Sequence, residues 1–175
     1  MLEGAVVREA RHADAEGIAR VHIASAEDSC APLAKDWPAP DVAKRTERWA
    51  ASLKASLGDS SRVDLVATVE ERVVGFISGG PARRSDVPAA VEVYVVHVLP
   101  HYRGRGVGSR LWELAYATLR GPSGLALYVG TLAELPCCAF YEARGGEVLR
   151  RSAGTFHGNG VTELVYIWPA GTSIS

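Results

Sequence analysis

Hydrophobic positions change period several times along the chain, and each change marks a predicted element. Val6 to Arg8 is a short strand candidate. Asp14 can cap a helix that carries Ile18, Val21 and His22 on one side and runs to about Ser29. A loop holding Pro32, Pro38 and Pro40 around Lys35, Asp36 and Trp37 leads to a second helix from Asp41, with Val42, Trp49, Leu53 and Leu57 as its apolar positions. Val63 to Val69 and Val73 to Ser78 alternate as the two strands of a hairpin. Gly79, Gly80 and Pro81 then read as the opening of a polar loop.

The stretch from Glu92 to Arg120 organises the rest. Val91 to Leu99 is mostly Val, Tyr and Leu, the composition of a strand buried on both faces, and Pro100 stops its ladder for want of an amide hydrogen. From Val107, the positions Leu111, Trp112, Leu114, Ala115 and Leu119 fall at helical spacing until Gly121 and Pro122. Leu125 to Val129 is a further strand, and the intervening helix makes it a parallel neighbour of the Val91 strand through a right-handed crossover. Pro136 to Arg144 predicts a short helix with Gly145 as its C-terminal cap. Glu147 to Arg150 and Glu163 to Trp168 read as a final antiparallel pair around a loop from Ser152 to Gly160. The expectation is an α/β (α+β) fold, one mixed sheet with helices on both faces, in a single domain spanning residues 1–175.

Between strand and helix lies Arg103-Gly104-Arg105-Gly106-Val107-Gly108, followed by Ser109. Three glycines let the backbone approach a ligand, and the unpaired amides of the first helical turn point at whatever sits there. With the helix dipole and two arginines, that is an anion site. The net charge of −1 argues against a broad nucleic-acid or membrane footprint, so the arginines suit one small anion. Three cysteines, Cys30, Cys137 and Cys138, lack metal-like spacing and suit a reducing compartment. The N-terminus shows no apolar signal core and no apolar run reaches transmembrane length, so the expectation is a cytoplasmic protein. His97 and His101 straddle a strand end and a proline, which disfavours a metal site.

Neither G-x-G-x-x-G nor G-x-x-x-x-G-K-[ST] is present. What fits is [QR]-x-x-G-x-[GA], carried by Arg103, Gly106 and Gly108, and the segments VHVLPHYRGRGVGSRL and CAFYEARGG. Over roughly Val6 to Trp168 the chain resembles the GNAT superfamily of acyl-CoA N-acyltransferases. The resemblance implies a mostly antiparallel sheet whose central parallel strands splay apart, with the pantetheine arm of acetyl-CoA lying between them along Val96, His97 and Val98. It implies that backbone amides from Arg103 to Ser109 hold the coenzyme A pyrophosphate. Homodimers are common among such enzymes. Two positions depart from the pattern: Leu135 stands where many members have a cofactor-orienting asparagine, and Gly146 replaces the usual Phe, which would leave the last strand less well packed.

Attack of an amine on a thioester needs a free lone pair, a held carbonyl, oxyanion stabilisation and a proton for the departing thiolate. Glu92 matches the glutamate that resembling enzymes use as general base, and Tyr141 matches the tyrosine near the coenzyme A sulfur that acts as general acid. A backbone amide between Val96 and Val98 is the expected oxyanion donor. Strand parity puts Glu92, Tyr94, Val96 and Val98 on one face and the rival base His97 on the other, unless a bulge flips part of the set. Cys137 and Cys138 near a helix start make an acyl-cysteine route conceivable, but direct transfer is expected. Glu27, Asp28, Asp36 and Trp37 are candidates for recognising a cationic acceptor. The expected function is acetyl transfer from acetyl-CoA to a primary amine; the alternatives are a non-catalytic acyl-CoA sensor and a nucleotide-binding domain.

Overall fold

The computed structural model describes residues 4–171; the extreme ends of the expected 1–175 domain lie outside the described residues. Among the described residues, seven strands form one sheet in the order β1-β2-β3-β4-β5-β7-β6. They are β1 Val6–Glu9, β2 Val63–Val69, β3 Arg72–Pro81, β4 Val91–Val98, β5 Leu127–Leu132, β6 Glu147–Phe156 and β7 Asn159–Trp168. Every pairing is antiparallel except β4 with β5. The four α-helices among the described residues are α1 Ala15–Ser29, α2 Val42–Ala55, α3 Val107–Arg120 and α4 Cys137–Glu142.

The helices divide between the two faces. Ile18 and Val21 of α1 and Leu53 of α2 pack on Val66 and Phe76 of one face. Val107, Leu111, Trp112, Ala115 and Leu119 of α3 pack on Ala67, Ile77, Val91 and Val93 of the other, joined by Tyr141 of α4. Gly75 and Gly79 let α3 lie close, since an added Cβ at Gly79 would meet Leu119 Cδ1 at 2.7 Å and the Glu92 carbonyl at 2.8 Å. Gly79 to Pro81 continue β3 rather than opening a loop, paired with Val93, Glu92 and Val91 of β4; Gly79 is buried under the helix, Gly80 is covered on the opposite face by Arg62 and Tyr94, and Pro81 is exposed.

Two turns and one cap differ from expectation for local reasons. Glu70 and Glu71 both take positive φ, 48° and 63°, which makes a tight two-residue turn between β2 and β3. The glycine-rich stretch Ser152–Gly160 is not a loop; it extends β6 and β7 to a turn at His157 and Gly158, with φ of 43° and 82°. Asp14 does not cap α1 through its side chain. Its carboxylate instead accepts from the Arg11 amide and pairs with Arg8 at 2.7 Å, holding β1 to the turn before the helix. Asp41 caps α2 as expected, accepting from the Lys44 amide at 2.9 Å.

The bulge that strand parity left open is present in β4. Gly79 lies opposite Val93 and Ser78 opposite Val95, so Tyr94 is the extra residue. Val96 and Val98 therefore share the α3 face with Ile77 and Gly75, while Glu92 and His97 share the α1 face with Gly80 and Phe76. The parity argument that separated Glu92 from His97 is thus corrected.

Candidate active site

The sheet opens at its centre. β4 pairs with β5 at only two positions, Val91 with Leu127 and Glu92 with Tyr128. β5 turns away to remain paired with β7 from Leu127 to Leu132. Beyond Glu92 the edge of β4 facing β5 lacks a strand partner, an arrangement that presents backbone donors and acceptors to a ligand. A cavity of about 170 Å³ fills this gap, bounded by Val93–His97 of β4, Val129–Thr131 of β5, Leu135 and Tyr141. It shares Ser29, Val96, His97, Pro136 and Cys137 with a second cavity of about 370 Å³ at the glycine turn, bounded by Val98, Arg103, Gly104, Gly106, Gly108 and Ser109. The two halves form one elongated cleft.

At the turn, Gly104 and Gly106 have φ of 71° and 82°, left-handed values that penalise any side chain. Gly108 is different: it is helical, and its Cβ would make ordinary contacts with Phe140 and Val98 at 3.6 Å, facing the cleft. Arg103 is less free than its sequence position suggests. Its Nε donates to the Val98 carbonyl at 3.0 Å and its guanidinium is ion-paired with Asp28 at the end of α1. Arg105 is exposed and has no ion-pair partner among the described residues. The sequence reading missed Arg144, whose Nη2 donates to Ser109 Oγ at 2.5 Å and whose guanidinium stacks 3.6 Å from the Phe140 ring centre, adding a cation beside the start of α3.

Glu92 lies at the closed end of the cleft, 5% exposed and outside the lining of its cavities. Its Oε2 accepts from Tyr128 OH at 2.6 Å, Arg83 Nε at 3.0 Å and the Arg83 amide at 3.1 Å, and Oε1 accepts only from Arg83 Nη2 at 2.5 Å. Burial works to raise its pKa, but Arg83 and Tyr128 together outweigh that and hold it below the usual glutamate value. Burial first, and then the hydrogen bond to and charge of Glu92, push the Tyr128 phenol up to about 12. Arg83 and Tyr128 went unnoticed in the sequence because the loop that carries Arg83 has no periodicity to reveal where it folds. His97 lines both halves of the cleft. Burial, then His22, Arg103 and Arg45, bring its pKa down to about 3. His22, 5.0 Å away ring to ring and accepting from Trp49 Nε1, is down at about 4, mainly through burial. Both imidazoles are neutral at physiological pH.

Tyr141 is 5% exposed, borders the gap, and makes no hydrogen bond through its hydroxyl among the described residues. Burial drives its phenol pKa well above the usual value, so it enters any reaction protonated. Burial raises the Cys137 thiol to about 11, which opposes a thiolate nucleophile. Gly146 has a packing reason: a Cβ there would meet the Trp168 ring at 2.7 Å and the Tyr141 carbonyl at 2.9 Å. Trp168, 2% exposed, occupies the space, so the last strand is well packed without an aromatic at 146.

On the α1 face a third cavity, about 550 Å³, lies between α1, the 30–41 loop, α2 and the β6–β7 tip. It shares His97 with both halves of the cleft and Cys30 with the gap. Glu27 and Trp37 line it, whereas Asp28 is bound to Arg103 and Asp36 lies outside the lining. Among the described residues no cluster of side chains could hold a metal ion, and no helix is long and apolar enough to cross a membrane.

The family model for the acetyltransferase (GNAT) family matches residues 11–146. No curated protein sequence matches the chain. Among solved structures, ribosomal-protein-alanine N-acetyltransferase from Brucella melitensis is 23% identical with a TM-score of 0.73, covering 94% of this chain and 99% of its own. The yncA structure from Salmonella typhimurium, solved with its cofactor acetyl-CoA, is 19% identical with a TM-score of 0.73, covering 95% and 94%. An N-acetyltransferase from Thermoplasma acidophilum in complex with coenzyme A is 16% identical with a TM-score of 0.68, covering 91% and 97%.

Proposed function

The chain belongs to the acetyltransferase (GNAT) family, and from that premise we propose that it moves an acetyl group from acetyl-CoA directly to a primary amine of a small molecule or exposed amino group. The observation that carries this reading is the cleft itself: β4 and β5 part after two paired positions, and the gap runs to a glycine turn at the start of α3. Acetyl-CoA bound in one structure of the same fold and coenzyme A bound in another support it. In this reading the amides of Gly104–Ser109 and the start of α3 hold the pyrophosphate, with Arg105 and Arg144 as cations not ion-paired among the described residues. The pantetheine arm bonds the free edge at Val96–Val98, which places the thioester carbonyl against a β4 amide.

The amine nitrogen attacks the carbonyl carbon, an N–C bond forms, and the carbon–sulfur bond then breaks. Tyr141, protonated and unpartnered, supplies the proton to the departing thiolate. Glu92 accepts the amine proton through a water on Oε1, the oxygen with a single hydrogen bond. A second reading gives the base to His97, which lines the whole cleft. Its pKa of about 3, beside Arg45 and Arg103, makes an imidazolium there unfavourable; Glu92 is likewise held below its usual value, and it is preferred for its match to the glutamate that resembling enzymes use as base. The test is release of free coenzyme A from acetyl-CoA across an amine panel. Amine-dependent release is expected; binding of acetyl-CoA without transfer to any amine would favour a sensor instead.

A further inference from the structure

The acceptor side of the cleft carries a charge bias that the reaction alone does not explain. The 550 Å³ cavity presents Lys44, Arg45 and Arg48, all within the first two turns of α2. None of the three has an ion-pair partner among the described residues. Two acidic residues line the same cavity, and one of them, Asp41, is committed through Oδ1 to the Lys44 amide as the cap of α2. Arg45 is half-buried, and its charge is felt by both His22 and His97 at the inner end. A half-buried guanidinium without a carboxylate is an unfilled requirement, which an anionic ligand group meets with charge-assisted, bidentate hydrogen bonds.

Resting on the acetyltransferase reading, we propose that the acceptor is a small amine that also carries an anionic group, its anion held by Arg45 and Arg48 on α2 and its amine directed past His97 to the thioester. Trp37, packed edge-on against His157 with ring centres 5.4 Å apart, lines the same cavity, whose volume of about 550 Å³ admits a small amine together with its anionic group. The assignment reverses the cation recognition expected from the acidic residues near the end of α1.

The experiment compares matched amines, an amino acid against its carboxamide and against the decarboxylated amine, plus an aminophosphonate. Each is measured two ways: as kcat/KM by coenzyme A release, and by calorimetric binding to the protein saturated with coenzyme A. The anionic amine is expected to exceed its neutral partners by about tenfold or more in both. Arg45→Met should collapse that ratio toward one, with thermal unfolding confirming the fold. A preferred phosphonate supports the same site with a different anion. Preference for neutral or cationic amines, or a ratio unmoved by Arg45→Met, overturns the proposal. The binding arm separates the two ideas: anion-selective binding without turnover sinks the transferase reading alone, and turnover without anion selectivity sinks this one alone.

Discussion

Replacing Glu92 by Gln separates the clamp that the carboxylate forms with Arg83 and Tyr128 from the base proposed for it. Gln keeps an oxygen for Tyr128 and the Arg83 amide but turns an NH2 toward Arg83 Nη2, now 2.5 Å from Oε1. Hydrogen bonds to charged groups contribute about 1.5–3 kcal/mol. Arg83 is 61% exposed, so solvent screens part of that. A net loss of about 1–2 kcal/mol corresponds to a fall in Tm of about 2–8 °C for a chain of this length. The pH dependence has a definite sign. Glu92 has a folded pKa below its unfolded value, so its contribution is complete above the unfolded pKa and is lost as pH falls through the folded one. Thermal unfolding of wild type and Glu92→Gln should therefore differ at pH 7 and converge in acid, once pH has fallen below the unfolded glutamate value and through the lower folded one. For catalysis, a base working through water predicts a fall in kcat of about a hundredfold, the low end for general-base loss, with coenzyme A affinity unchanged. A normal kcat, with or without the stability loss, would remove Glu92 from the chemistry.

Tyr141→Phe removes an unpartnered hydroxyl, so kcat should fall about tenfold or more while the unfolding temperature stays level; steady-state kinetics and calorimetry check the pair. Gly106→Ala forces a side chain onto a φ of 82°, which costs about 1–2 kcal/mol and tilts the amides of the turn; coenzyme A binding should weaken severalfold in a titration. Gly146→Ala places a methyl within 2.7 Å of Trp168, and denaturant unfolding should show a loss of about 1–3 kcal/mol.

The fold was legible because its decisive signals are local. The strand-turn-helix from Val91 to Arg120 declares itself through one apolar run, one proline, a glycine cluster and one helical period. Ser152–Gly160 misled because an exposed hairpin of Gly, Ser and Thr lacks an apolar stripe, and its pairing is a property of two strands together. The Tyr94 bulge, which puts Glu92 and His97 on one face, is likewise a mismatch between β3 and β4 that neither strand shows alone. Asp28 gave no hint of its bond to Arg103, 75 residues away. Long-range ion pairs of this kind fix which charges remain available to a ligand: Asp28 is taken up by Arg103, while Lys44, Arg45 and Arg48 have no ion-pair partner among the described residues.

The central claim is that coenzyme A occupies the cleft between β4 and β5 with its pyrophosphate on the glycine turn. Titration of the ¹⁵N-labelled protein with coenzyme A, followed by backbone amide NMR, tests it directly. The account predicts the largest shifts at residues 93–98 and 103–109, with smaller ones at 129–131 and near Tyr141. Saturable binding whose shifts fall outside the cleft, or no shift at millimolar coenzyme A, would contradict it.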